Sequence, residues 1–329
     1  MQPQVSAAPG VGVVVVNWNG VTQSRRCLTS LRDLDYPNVR VCLVDNGSTD
    51  GSAAQLEREF PEVAVVRLPS NVGYAGGCNA GIAWAKKSGA PYVWLLNNDT
   101  TVDPQSLRAL TNRADELHSL GVAAILAPKI LLASSPTTIW FAGGSLRWPW
   151  LERDHIGMGE EDSRHNTPRE MEWASGCALF FHTSVADAVG PLDERYFLYL
   201  EDVDWCLRAR RRGIAIWFVP EARLWHNVSQ STKQVDSRDL QYYFVRNYYI
   251  LAFDHCGPIG RVWASLRLAV TLAKSTIRGL LFPSYRRDSH YQAQTRALMD
   301  FMGHRYGQAP YSNDASVTVR PPQTKEQLG

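Results

Sequence analysis

The sequence predicts an α/β protein: a doubly wound, mixed and mainly parallel sheet with a helical C-terminal extension. Three observations predict it. Short, continuous, β-branched apolar runs recur between Val11 and Leu96, as strands buried on both faces require. Helix-compatible segments alternate with them, which is the βαβ pattern of a parallel sheet. Hydrophobic residues make up 45% of the 329 residues and charged residues 20%, enough apolar surface for a core of that size.

The strands are expected at Val11–Val16, Val39–Val44, Val63–Leu68 and Tyr92–Leu96. Helices are expected between them at 22–34, 52–60 and 76–88. Ligands of such sheets bind at the carboxyl ends of the strands. Each strand here is followed by a polar segment: "NWNG" from Asn17, "DNGSTDGS" from Asp45, "PSNVGYAGGCNAG" from Pro69 and "NNDTTVDP" from Asn97. Any one is a credible turn, since Asn-Gly and Asp-Gly favour tight turns. Four in succession point to a shared site.

Several of these residues have two readings. Asp45 can accept from a pyrimidine N3–H or ribose hydroxyls, or close a local turn that caps the next helix. Gly76, Gly77 and Gly81 allow a ligand to approach a helix N-terminus, or allow tight helix–sheet packing. Neither a P-loop nor GxGxxG is present. Asn97, Asn98 and Asp99 either end a strand or hold a metal ion against a phosphate.

A second region runs from about Gly121 to Asn227. In "LYLEDVDWCLRARRRG", Glu201, Asp202 and Asp204 open a helix that Arg208, Arg210, Arg211 and Arg212 close, with Gly213 as the stop. The helix dipole accounts for the arginines. It does not require two adjacent acids after the aromatic, apolar "YFLYL". A carboxylate held ionised at a helix N-terminus beside a pocket is a good general base. His226 ends another apolar run and reads as a structural histidine or as a ligand. Arg147–Glu170 reads as a long, mobile, lid-like loop. Helices are expected from Asp236, with apolar and basic positions alternating, and a frayed tail after Gln308.

Net charge is +2 but uneven: 18 Lys+Arg stand against 8 Asp+Glu from Trp205 onward, and 16 against 24 before it. The second half therefore suits an anionic partner, or presents a basic solvated helix face. The six cysteines are scattered without a CxxC pair, which fits a reducing cytosol and small core residues. The opening "MQPQVSAAPG" lacks a basic signal-like region and reads as a disordered lead-in. No run of about 18 uncharged apolar residues exists to span a membrane.

Taken together, "VVVVNWNG", "VDNGSTDGS", "NVGYAGGCNAG", "LLNNDT", the stretch from "ASGCALFF" to "CLRARRRG", and "WFVPEARLWH" resemble glycosyltransferase family 2 of the GT-A fold. The similarity is greatest to its rhamnosyltransferase-like members. It spans about Val11 to Ser231 and continues more loosely through "YYFVRNYYI" and "FMGHRYG".

The resemblance implies the following division: a lead-in over 1–10, a GT-A catalytic domain over 11–235, a helical region over 236–308 and a tail over 309–329. Within the catalytic domain, 11–120 would bind the nucleotide sugar, and 121–235 would hold the acceptor and the catalytic acids. Asn17, Asp45, Gly76, Asn79, Asn97 and Asn98 would line the donor site. Asp99 and His226 would hold a divalent metal, Mg2+ or Mn2+, against the donor diphosphate. Asp202 would be the base of an inverting transfer, with Glu201 supporting it.

One departure stands out: amides occupy two places where the family often has acids, so metal affinity should be weak without the diphosphate. The implied activity is transfer of L-rhamnose from dTDP-L-rhamnose to a glycan or lipid-diphosphate-linked sugar in cell-wall or surface-polysaccharide synthesis. Alternatives are another nucleotide sugar, or a non-catalytic nucleotide-sugar or glycan-binding protein. The expected location is cytoplasmic, with peripheral contact at the inner membrane surface and no nucleic-acid partner.

Overall fold

The computed structural model describes residues 8–228, 237–282, 284 and 288–311. The expected lead-in up to residue 7 and tail from residue 312 lie outside the described residues. The chain opens with β1 (Val11–Asn17), α1 (Val21–Arg32), β2 (Val39–Asp45), α2 (Ser52–Glu59), β3 (Ala64–Arg67), α3 (Gly73–Lys87) and β4 (Tyr92–Asn97). These four strands pair in parallel in the order β3-β2-β1-β4. Val13, Val14 and Val15 are fully buried, as a strand covered on both faces requires.

α3 lies tight against β1. A Cβ on Gly81 would stand 2.0 Å from a Val14 methyl, and one on Gly77 would stand 2.7 Å from a Val16 methyl. Close helix–sheet contact is thus what these two glycines permit. Gly76 faces the Val72 side chain, which a Cβ would meet at 2.6 Å.

The second half adds β5 (Thr100–Val102), α4 (Ser106–Ser119), β6 (Ala124–Leu132), β7 (Ser135–Phe141), β8 (Gly144–Arg147), β9 (Glu152–His155) and β10 (Arg169–Glu170). Then come β11 (Ala178–His182), α5 (Thr183–Val189), α6 (Glu201–Arg210) and β12 (Ala215–His226). The sheet grows to ten strands as β4-β11-β6-β12-β10, with β5 on β12 and β7 on β6. β11 runs antiparallel to both its neighbours, and this turns a parallel half-sheet into a mixed one.

The stretch expected as a lid-like loop carries regular structure. β8 and β9 form an antiparallel hairpin, with Leu146 opposite Arg153 and Gly144 opposite His155. The turns after it are pinned from beneath. Lys129 on β6, fully buried, donates to the carbonyls of Asp162 and Arg164 and to the side chains of Asp162 and Asn166.

The C-terminal region comprises α7 (Ser237–His255), α8 (Pro258–Leu281) and α9 (Ser289–Met302). α7 joins the main core through Tyr249, Ile250, Leu251 and Ala252. α8 buries Gly260, Ala264, Ser275 and Gly279 and exposes Ile259, Val262, Leu266, Val270, Ile277 and Leu280. Among the described residues no helix is long and apolar enough to cross a membrane. All six cysteines are buried and free.

Candidate active site

The ends of β1, β2 and β4 are tied by short polar side chains. Asn17 donates to Ser48 Oγ (3.1 Å) and Ser52 Oγ (2.9 Å), and its Oδ1 accepts from Ser24 Oγ (2.7 Å). Asn98 Nδ2 donates to the same Ser24 Oγ (3.0 Å), so Ser24 joins the ends of β1 and β4. Asp45 accepts from Ser48 N–H (3.2 Å), which closes the local turn after β2. Asn97 is half-buried at the end of β4, its N–H on Cys177 O (2.9 Å). Asn46, overlooked in the sequence, links β2 to the start of α3: it donates to Asn71 Oδ1 and Gly73 O and accepts from Val72 N–H.

Asn79 lies further along α3 and reaches a different loop. It accepts from Leu192 N–H (2.9 Å) and donates to Leu192 O (2.9 Å) and Glu194 Oε1 (3.0 Å). That loop leads to the acid pair, and its backbone is contorted. Phe197, Tyr199 and Leu200 have φ of 63°, 68° and 75°. Bulky residues rarely hold such left-handed angles unless their surroundings impose them.

Here the surroundings are explicit. Asn247 Nδ2 donates to the carbonyls of Tyr196 (3.0 Å), Leu198 (2.8 Å) and Tyr199 (2.8 Å). Arg246 donates to those of Arg195 (3.1 Å) and Tyr196 (2.9 Å). Both side chains are fully buried on α7. On the opposite side Tyr74 N–H binds Phe197 O (2.7 Å), and Gly73, at φ 82°, leaves no room for a Cβ beside that oxygen. A charged residue and an amide inside the aromatic run "YYFVRNYYI" were the available sequence signal, because buried polar groups demand partners.

The contorted loop delivers Glu201 and Asp202 to the first turn of α6. Asp202 Oδ2 accepts from Gly176 N–H (2.7 Å) and Oδ1 from Val203 N–H (2.7 Å). Burial raises its pKa, against the pull of those two N–H groups and of the nearby Arg153 and His155. Glu201 is 4% exposed, and its Oε2 has no hydrogen-bond partner among the described residues. Burial first, and then the charge of Asp202, hold its pKa well above the usual carboxylate range. Burial thus pushes both acids toward the neutral form, Glu201 the more strongly, while the two N–H groups on Asp202 favour its ionised form. Asp204 turns away to bind His255 (2.7 Å) and Arg208 (2.8 Å), tying α6 to α7.

Asp99 and His226 meet because β5 and β12 pair with His226 opposite Thr100. His226 Nε2 lies 3.2 Å from Asp99 Oδ1, both side chains buried. Burial alone would lower the His226 pKa, but Cys177 and Asp99 outweigh it and bring the group to about 10. Trp140 meets His226 and His155 edge-on, at 4.6 Å and 4.8 Å. Tyr199 connects the two acid sites: burial lifts its hydroxyl to about 12, and the charges of Glu201 and Asp99 push the same way. Tyr199 thus feels both Glu201 and Asp99, and Asp202 feels His155, which shares the Trp140 ring with His226. Asn17, Asp45, Asn97 and Asn98 lie at the strand ends, and Gly76 and Asn79 lie on α3. Among the described residues there is no cluster of three or more His, Cys, Asp or Glu able to hold a metal.

Residues 12–132 match the family described as Glycosyl transferase family 2, and residues 92–293 match Glycosyl transferase family group 2. The chain belongs to glycosyltransferase family 2. This glycosyltransferase is 30% identical over 263 residues to the N-acetylglucosaminyl-diphospho-decaprenol L-rhamnosyltransferase of Mycobacterium tuberculosis, covering 74% of this chain and 85% of that protein. It is 21% identical over 253 residues to the dTDP-rhamnosyl transferase RfbF of Shigella flexneri, covering 75% and 81%. Among solved structures, GalNAc-T7 with UDP, GalNAc and Mn2+ superposes with a TM-score of 0.54 at 16% identity. That match covers 66% of this chain and 43% of the other, and supports the α/β fold.

Proposed function

We propose that this glycosyltransferase is an inverting rhamnosyltransferase. It moves L-rhamnose from dTDP-L-rhamnose to a hydroxyl of a polyprenyl-diphosphate-linked sugar in cell-wall or surface-polysaccharide synthesis. The reading is carried by Asp202, a carboxylate held by two N–H groups at a helix start beside the more deeply buried Glu201. The rhamnosyltransferases among its relatives support the choice of sugar.

Asp202 takes the proton of the acceptor hydroxyl as that oxygen attacks the anomeric carbon. The bond from that carbon to the diphosphate oxygen breaks, and dTDP leaves with the electron pair. A raised pKa brings the base closer to working pH, where general-base catalysis is most effective. Asp45 serves the thymine and ribose, while Asn17 and Asn98 hold the strand ends in place beneath them.

Asp99 and His226 are the residues that would hold a divalent cation. The fit is partial: His226, its pKa raised beside Asp99, would have to release its proton before it could ligate, and one carboxylate and one imidazole leave most positions of a hard cation to other oxygens. When bound, Mg2+ or Mn2+ supplies charge neutralisation for the departing diphosphate.

Product analysis with a panel of nucleotide sugars and a synthetic polyprenyl-diphosphate N-acetylglucosamine tests the reading. A rhamnosylated product of inverted configuration is expected, and transfer only from other sugars would replace it. We place the protein at the cytoplasmic membrane face, through the exposed apolar positions of α8 and its neighbours Arg261, Arg267, Lys274 and Arg278. Flotation with anionic liposomes, expected to weaken in high salt, checks this.

A further inference from the structure

The tip of the β8–β9 hairpin rests on the C-terminal helices and leaves aromatic rings uncovered. Trp150 and Trp263 meet with ring centroids 4.5 Å apart, yet they are 39% and 41% exposed. Tyr248 of α7 donates to Trp150 O (3.2 Å), and Cys256 Sγ to Pro149 O (3.5 Å), so the tip is anchored where α7 meets α8.

Further down the hairpin the Arg153 guanidinium sits over the Phe244 ring at 5.8 Å, and Phe244 stacks on Tyr199 at 4.7 Å. Tyr199 stands three residues before Asp202 in the loop that opens α6. The hairpin carries a second arginine, and the two differ. Arg147 is neutralised by Glu152 and Asp154, whereas Arg153 makes no ion pair among the described residues and has Asp202 as its nearby opposite charge.

The surface leading away from Asp202 is therefore ordered by polarity. First comes a cation over an aromatic ring, then a tryptophan pair, then the apolar face of α8. A prenyl diphosphate has the same order: a compact anionic head followed by an apolar chain. We propose that this strip seats the diphosphate–lipid junction of the acceptor, with Arg153 binding the diphosphate and Trp150 and Trp263 flanking the first isoprenoid units. The inference rests on the lipid-linked acceptor proposed above, but adds the residues that recognise the lipid carrier rather than its sugar.

Direct titration tests it without sugar transfer. Geranylgeranyl diphosphate, inorganic diphosphate and dTDP are each titrated into the full chain and into Arg153→Gln and Trp263→Ala. Both positions are exposed, and melting curves check that the variants remain folded. Arg153→Gln should weaken geranylgeranyl diphosphate about ten-fold or more, the usual scale of a lost charge-assisted contact. Trp263→Ala should weaken it about ten-fold while leaving inorganic diphosphate unchanged. Binding of dTDP should be unaltered in both.

Absence of geranylgeranyl diphosphate binding by the wild type, or equal binding by all three proteins, overturns the proposal. So does loss of dTDP affinity in Arg153→Gln without loss of the lipid, which would give Arg153 to the donor. A dimer that Trp263→Ala dissociates while lipid binding is unchanged also overturns it, in favour of a second copy of this chain. Failure of rhamnosyl transfer would count against the donor reading alone, because none of these titrations contains a sugar donor.

Discussion

The strand ends and the acid loop are built in opposite ways. At the ends of β1, β2 and β4 the polar groups satisfy one another: Asn17 with Ser24, Ser48 and Ser52, and Asn98 with Ser24. Left-handed backbone there falls on Asn19, Gly47 and Gly51, residue types that adopt it readily. Around Glu201 and Asp202 the backbone is left-handed at three bulky residues, and the acids are desolvated. The groups that hold this loop come from outside it, from α3 and α7. The contrast teaches that the strand ends form a self-satisfied polar scaffold, whereas the acid loop is held in shape from outside. Desolvated, reactive carboxylates exist only where the rest of the fold holds them in place.

The largest effect should come from removing the base itself. Asp202→Asn is expected to lower turnover by about 10²–10⁴-fold while dTDP binding stays within about two-fold. Steady-state kinetics and titration of dTDP check the split, and near-normal turnover would end the assignment of the base.

Next in size is the support. Asn247→Ala removes three hydrogen bonds to the loop, although Tyr196 O keeps those from Arg246 and Leu198 N–H, and about 2–3 kcal/mol of stability should be lost in urea denaturation. Asn17→Ala removes bonds from a region whose hydroxyl groups can re-pair locally, and about 1 kcal/mol is expected there. Equal losses at the two positions would dissolve the contrast between the halves.

The smallest effect is a pH dependence. Glu201 has its folded-state pKa raised above the ordinary value of 4.5. Its protonated form fits the buried seat, so its contribution is fully present below the ordinary glutamate range. That contribution fades as the pH climbs through the raised folded value. Glu201→Gln cannot ionise, so its melting temperature should gain on the wild type as pH rises. Melting curves between pH 5 and pH 9 check this, and a gap that narrows toward alkaline pH would reverse the reading of Glu201.

Local features were legible in the sequence, and distant partnerships were not. β1, β2 and β4 stand out as apolar runs because burial on both faces forbids polar residues, and their ends stand out because the prohibition stops there. The pair Glu201–Asp202 stood out because helix capping alone does not call for adjacent acids after "YFLYL". By contrast, the bond from Asn79 to Leu192 joins positions 113 residues apart. Lys129 lies inside "AILAPKILL", where nothing nearby signals that four acceptors from residues 162–166 will surround it. The hairpin within the expected lid-like loop was hidden for the same reason: its tip is set by contacts with α7 and α8, not by its own residues.

Arg246 and Asn247 bear on how the molecule divides. They belong to the helical extension by position, yet their side chains hold open the turn that presents the base, and His255 grips Asp204 one helix turn below. A chain cut at residue 235 would keep every residue assigned to chemistry and lose the grip that aims it. By these bonds the extension and the turn before α6 pack as one unit across the boundary visible in composition.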